Sequence, residues 1–530
     1  MPVSETPRDD ADALRGAVAL LVAGFVARLG LALLLDPGLD EAYAMAVSGR
    51  WQLSWFDHPP MAFWWVAGMQ ALAAPLFGPE VPVAFLRLPF VLAFTATSWL
   101  LHDLTRVLWG ARAALWALLA LTVAPFFLVS AGSWLVPDGP LVLALALTAR
   151  ILVEILFRDP DPRRMALLWL AAGIGLGLAG LSKYHAALFA LGALAFLVAT
   201  PHRRRLATWA PWAGVALAVA VASPALIWNA ENGWVSFLFQ SARGGGRGWS
   251  LLGPLRAVLG QAAYLGPWTL IAAAAATWAA LRRDRDRAGP AAFLTAVAAP
   301  SIVLFTLIPA FGGDGLPHWQ MPGWLFLLPL LGRAIAENEH RFARPARAFA
   351  IAAATILALA AALIAGLRFA PPSAETIARL RLGGFLEESF TWRGLPEALA
   401  ARGLVPATAA ADPADRPVVV AFRWIEAARI GAALGSRATV MVFDADPRGF
   451  AFLADPAAHL GRDVVLIGRP RRFERGLAEV APLFDHVEEL PPIPVTLGST
   501  VLFEARVAIG RHLRAPYPLP YPQRPAKDRD

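Results

Sequence analysis

The chain has 530 residues, of which 57% are hydrophobic and only 16% charged, against about 45–50% and 25% in soluble domains. That excludes a soluble cytosolic enzyme and a disordered protein, and the absence of cysteine excludes disulfides, a thiol nucleophile and Cys-ligated metals. The net charge is +8, with 27 basic and 20 acidic side chains in residues 1–369 but 20 and 19 in residues 370–530, so the excess lies in the apolar part, where it orients a membrane protein and does not mark a nucleic-acid surface.

A spanning helix needs about 20 mostly apolar residues. The first such run extends from about Gly16 to Leu35. Asp36-Pro37-Gly38 follows it without a small-residue cleavage pattern, which favours a retained span over a signal peptide. Further runs begin near Phe85, Ala113, Leu141, Ala166, Ala186, Trp209, Leu255, Ala291, Met321 and Ala346, about eleven in all. Alternate connections differ in kind. One set carries Arg112, Arg158/Arg163/Arg164, Arg203/Arg204/Arg205, Arg282/Arg283/Arg285/Arg287 and Arg341/Arg344/Arg347; the other carries Asp40-Glu41, Asp138, Lys183-Tyr184-His185, Asn229 to Trp234, and Gly312 to His318. Cytoplasmic loops retain arginine, so the first set and the amino terminus are expected inside and the acidic loops outside. With an odd number of spans, the segment after Leu367 is expected outside as well.

That segment changes character. Pro417–Phe422, Thr439–Phe443 and Asp463–Gly468 are apolar runs of strand length, with helical patterns around Ile425–Leu434 and Arg471–Ala481. Strands alternating with helices predict a small α/β domain. The expected organisation is a membrane domain over 1–369, an α/β domain over 370–514 and a Pro-rich tail over 515–530.

The residues able to do chemistry concentrate on the expected outer face. Asp40 and Glu41 end the first span, where a carboxylate either serves as general base or is simply a solvated loop acid. Asp138 sits in Val136-Pro137-Asp138-Gly139-Pro140, which reads as a turn or as a second acidic site. Lys183 is the only lysine besides Lys527; it is a point charge for a phosphate or a snorkelling interfacial side chain. His58 and His318, with Asp40, Glu41 and Asp57, have the donor types for a metal, for phosphate contacts or for loop packing. Their spacing is not diagnostic, and no metal is predicted. Gly173, Gly175 and Gly177 lie inside a span and predict close helix contact, while Arg243 to Gly248 has the groups to touch a phosphate but reads by default as a flexible outer loop.

Asp40-Glu41-Ala42-Tyr43, Phe56-Asp57-His58-Pro59-Pro60, Arg87-Leu88-Pro89, Val136 to Pro140, Leu181-Ser182-Lys183-Tyr184, Ile227-Trp228-Asn229 and Pro317-His318-Trp319, taken in this order, resemble the bacterial family 39 glycosyltransferases, relatives of protein O-mannosyltransferases and lipid A aminoarabinose transferases. The resemblance implies a polytopic GT-C fold with its active site at the outer leaflet, a polyprenyl-phosphate-linked sugar as donor, and a lipid, glycan or protein as acceptor. It implies Asp40 as catalytic base, with Glu41 and Asp138 as further acidic positions and Lys183 on the donor phosphate beside His58, Arg87 or His318. Asp57, Tyr43, Tyr184 and Asn229 complete the expected cavity. Val136, where many relatives have Thr, and Ala44, where many have an aromatic, leave sugar and acceptor open. A transporter or flippase explains the hydropathy equally well but favours polar groups at mid-span. A glycan ligase or polymerase is the third reading.

Overall fold

The computed structural model describes residues 7–78, 81–246, 248–284, 286–390, 392, 394–408, 412–498 and 500–520. Arg247, Arg285, Lys527 and the tail beyond residue 520 lie outside the described residues. Among these, seven helices are long and apolar enough to cross a membrane. The number is nine if each of two pairs bent by 105°, Ala186–Ala199 with Pro201–Ala207 and Leu252–Leu265 with Pro267–Arg283, forms one span. The eleven apolar runs of the sequence include two further features. The 40-residue stretch Val83–Thr122 holds two runs, separated at Gly110, where φ of 86° interrupts the helix. Met321–Glu337 holds another in only 17 residues.

The chain divides into two compact units, one from the described parts of Met1–Ala32, Leu88–Ile227 and Phe237–Ala360, the other from those of Leu33–Arg87, Trp228–Ser236 and Ala361–Asp530. The first is helical. Its core contains Phe94, Phe127, Leu141, Leu145, Phe293, Leu325 and Phe326, all almost fully buried. Within it the three span glycines face neighbouring helices. A Cβ on Gly173 would lie 2.1 Å from the Gly214 carbonyl oxygen, one on Gly175 2.5 Å from Thr148 Oγ1, and one on Gly177 2.6 Å from Val221 Cβ. These glycines therefore permit backbone approach that no other residue allows.

The second unit holds a five-stranded sheet of order β2-β1-β3-β5-β4: β1 Val418–Ala421, β2 Thr439–Val442, β3 Val464–Gly468, β4 Phe484–Leu497 and β5 Thr500–Leu513. The first three are parallel and β5 and β4 antiparallel. β1 and β3 are buried at every residue, which is why they read as unbroken apolar runs. Helices Trp424–Leu434 and Pro470–Val480 fall where the periodicity placed them. The β4–β5 pair is an addition to the sequence reading. Pro491, Pro492 and Pro494 lie within β4, which is the sheet edge, and the register shifts between Leu490 and Ile493; edges and bulges are where a strand tolerates proline.

Candidate active site

Each unit carries a buried polar cluster. In the helical unit, Asp138 opens the helix Asp138–Phe157 after the turn through Pro137, and Lys183 ends the helix Pro162–Ser182 in an extended conformation (φ −160°). The two ends meet: Lys183 Nζ donates to Asp138 Oδ1 at 2.9 Å and Oδ2 at 3.0 Å. Both residues are nearly inaccessible, at 3% and 4% exposure. A buried ammonium survives only if it is paired, so the snorkelling alternative for Lys183 does not describe its position.

His318 belongs to the same cluster. Burial of its ring, followed by the positive charge of Lys183, brings its pKa down to about 4, with Asp138 acting the other way and Arg243 adding to the fall. At neutral pH it is an uncharged imidazole with one N–H to donate. Arg243 closes the helix Val235–Gly244, donates Nε to Asp314 Oδ2 at 2.9 Å and lies 4.6 Å from the centre of the Trp319 ring. Arg243 is thus helical and anchored, not part of a flexible loop. Tyr184 turns to Phe237, ring centres 4.9 Å apart, and His185 stacks on Phe305 at 4.7 Å.

In the second unit, the short helix Leu39–Val47 separates two adjacent acids. Asp40 is exposed, whereas Glu41 is fully buried against an equally buried Arg87. Arg87 donates Nε to Glu41 Oε1 at 2.7 Å, Nη2 to Oε2 at 2.5 Å and Nη1 to the Leu35 carbonyl at 2.7 Å. Glu41 Oε2 also accepts from the Gly38 N–H at 2.9 Å. The pair fixes the entry to the helix.

Tyr43 donates its hydroxyl to Asp57 Oδ1 at 3.1 Å and accepts from the Gly449 N–H at 3.0 Å. Its ring meets Phe63, Trp424 and Phe450 edge-on. Burial pushes the Asp57 carboxyl up to about 6, opposed by Arg448 and the Tyr43 hydroxyl and assisted slightly by Asp40. A carboxyl with a raised folded-state pKa stabilises the fold below its unfolded value, and that stability is lost as pH rises through the folded value. The loss across this window is at most about 3 kcal/mol. Asp57→Asn is accordingly expected to raise the thermal midpoint at pH 7.5 and to leave it unchanged at pH 4; an equal shift at both values would remove the carboxyl as the cause.

Asn229 is fully buried. Its Oδ1 accepts from the Ser236 N–H at 3.2 Å and its carbonyl from the Trp234 N–H at 2.7 Å, closing the loop between them. Ser236 Oγ in turn donates to the Trp55 carbonyl at 3.2 Å. His58 is half-buried, and its carbonyl accepts from the Trp55 N–H at 3.3 Å, making the turn that presents Asp57. Among the described residues no three His, Asp or Glu side chains approach closely enough to hold a metal ion. One participant escaped the sequence reading: Arg448 carried no signal, being distant from every motif it serves.

Residues 57–228 match the family model for dolichyl-phosphate-mannose-protein mannosyltransferases. The fold is similar to ArnT from Cupriavidus metallidurans bound to undecaprenyl phosphate, at 17% identity and TM-score 0.63, covering 93% of this chain and 97% of that one. The apo form of that protein gives 18% identity and TM-score 0.61 over 94% and 98%. A likeness to the S. cerevisiae Pmt1-Pmt2 protein O-mannosyltransferase complex bound to the sugar donor spans 41% of this chain and 33% of that one, at 19% identity and a TM-score of 0.33, and carries no weight for the fold. No curated relative matches the sequence at a significant level. The chain thus shares the fold of ArnT over almost its whole length, and residues 57–228 within it match the mannosyltransferase family.

Proposed function

We propose that the protein transfers a sugar from a polyprenyl-phosphate carrier to an acceptor in the cell envelope, a lipid A-type glycolipid, another glycan or a protein, at the periplasmic face of the inner membrane. The observation that carries this reading is the division of labour between adjacent acids: Glu41 is consumed by Arg87, and Asp40 alone of the two presents its carboxylate to solvent. Asp40 takes the proton from the acceptor hydroxyl or amine as it attacks the anomeric carbon, with inversion there. The bond to the carrier phosphate breaks, and negative charge develops on the phosphate oxygens. Lys183 supplies the compensating charge. Its ammonium has three N–H donors, two of which are on Asp138, so the third remains for the phosphate while Asp138 fixes its direction. Neutral His318 adds a hydrogen bond without competing for the proton. A divalent cation is not required by this scheme.

The same reading takes residues 1–369 as the membrane domain, 370–514 as a periplasmic α/β domain and 515–530 as a tail, with the amino terminus cytoplasmic. It is supported by the arginine-rich connections that alternate with the acidic ones. A transporter or flippase shares the hydropathy but breaks no bond. Reconstituted protein given a polyprenyl-phosphate sugar and an envelope extract is expected to release free polyprenyl phosphate in step with sugar transfer. Translocation of the intact carrier without release would sink the assignment.

A further inference from the structure

In the C-terminal sheet the chain passes from β1 to β2 on one side and then to β3 on the other. Open α/β sheets bind ligands in the crevice at such a reversal, beyond the carboxyl ends of the strands. Here the structure has a cleft of about 450 Å³ lined by Arg423, Ile425, Glu426, Arg469, Arg471 and Arg472. That volume suits a small organic ligand, within the roughly 300–1,000 Å³ of such sites, and is large for a lone ion.

The charge in the cleft comes from independent sources. Arg423 and Arg469 precede the helices Trp424–Leu434 and Pro470–Val480, and neither helix has a side-chain cap. Their uncapped N-termini add positive potential to the guanidinium groups. Arg423 and Arg471 are exposed. Arg472 is partly committed, through Nη2 to Asp444 Oδ2 at 2.8 Å and Nε to the Phe422 carbonyl at 3.3 Å. Arg469 lies 5.1 Å from the centre of the Phe503 ring.

One acid faces these arginines. Glu426 is only 4% exposed, and among the described residues its Oε2 has no hydrogen-bond partner. It lies 3.0 Å from where a Cβ on Gly468 would stand, so the absence of a side chain there keeps the carboxyl in place. An orphaned buried acceptor costs roughly 1–3 kcal/mol and calls for a donor from the ligand. A phosphate, whose oxygens at neutral pH are mostly deprotonated acceptors, complements a carboxyl oxygen less well than a neutral sugar hydroxyl does.

We propose that this cleft binds a phosphorylated saccharide, its phosphate held by Arg423, Arg469 and Arg471 and one of its hydroxyls donating to Glu426 Oε2. Arginine forks match phosphate oxygens in pairs, and the hydroxyl satisfies the carboxyl oxygen. Burial pushes the Glu426 carboxyl up to about 7 despite the nearby arginines, which lessens its repulsion of the phosphate. The site does not rest on the transfer reaction, because it is read by binding alone.

Titration calorimetry on the full-length protein in detergent tests it, with glucose 1-phosphate, inorganic phosphate and glucose as probes. Saturable binding of glucose 1-phosphate is expected, at least tenfold tighter than inorganic phosphate, with glucose undetected. Arg423→Ala with Arg471→Ala, both exposed positions that leave the fold intact, is expected to weaken it at least tenfold. Glu426→Ala is expected to narrow the preference over inorganic phosphate, provided its thermal midpoint shows it folded. Nanodiscs containing phosphatidic acid separate a sugar phosphate from a plain lipid phosphate and are expected not to compete. Absence of saturable binding, insensitivity to the double arginine change, or equal competition by phosphatidic acid would each overturn the proposal.

Discussion

Lys183→Met is expected to lower stability by about 3–5 kcal/mol, the usual cost of removing one partner of a buried ion pair, because it strands Asp138 at 4% exposure without the ammonium that pairs with it. Adding Asp138→Asn removes the stranded charge, and the double variant should recover most of that loss, seen as a thermal midpoint returning toward the parent. Sugar transfer should behave differently. Both the single and the double variant should lose on the order of 10²–10³ in rate, the effect of deleting one group that stabilises developing charge. The comparison separates the two roles of the lysine: recovery of stability without recovery of transfer identifies the ammonium as part of the chemistry. If the double variant transfers sugar at the parental rate, the pair is a structural clasp and the phosphate is held elsewhere.

Asp40→Asn and Glu41→Gln should part company in the opposite sense, although they alter neighbouring residues. Asp40 is exposed, so its neutralisation should leave the thermal midpoint where it was and cut turnover by about 10²–10⁴, the range for loss of a general base. Glu41→Gln leaves Arg87 fully buried without its counter-charge, with an expected cost of about 3–5 kcal/mol and an activity loss that tracks the fraction unfolded. Parental turnover in a well-folded Asp40→Asn variant would remove the proposed base. Rates and unfolding midpoints measured on the same preparations decide between these outcomes.

The apolar runs and the three parallel strands were legible because burial on all sides leaves a compositional trace: β1 and β3 carry no polar side chain, and Val, Leu and Ile dominate them. The β4–β5 pair left no such trace. Its edge position lets proline stand in a strand, and proline is the residue that argues against one in sequence. Lys183 stood out by its rarity, and its proximity to Asp138 follows from two helix ends that a linear reading had already placed on one face. The distinction between Asp40 and Glu41 was not legible. Consecutive residues on a helix differ by about 100° in direction, and which of two carboxylates turns inward depends on an arginine 46 positions from Glu41. Arg87 itself resembles a phosphate ligand until its partner is known.

The bond from Tyr43 to Gly449 joins positions 406 residues apart, and Arg429 Nη1 donates to the Pro37 carbonyl across 392. At roughly 5–20 residues per second, a ribosome takes on the order of 20–80 seconds to make that much chain. For this interval the segment bearing Asp40 exists without the backbone that will order it, and the buried Asp57 cluster cannot close. The segment around Asp40, made early, is therefore among the last to mature. A chain interrupted between Trp319 and Gly449 carries every motif quoted from the membrane part and still lacks the backbone partner of Tyr43. Completion of synthesis itself becomes the step that lets this cluster form.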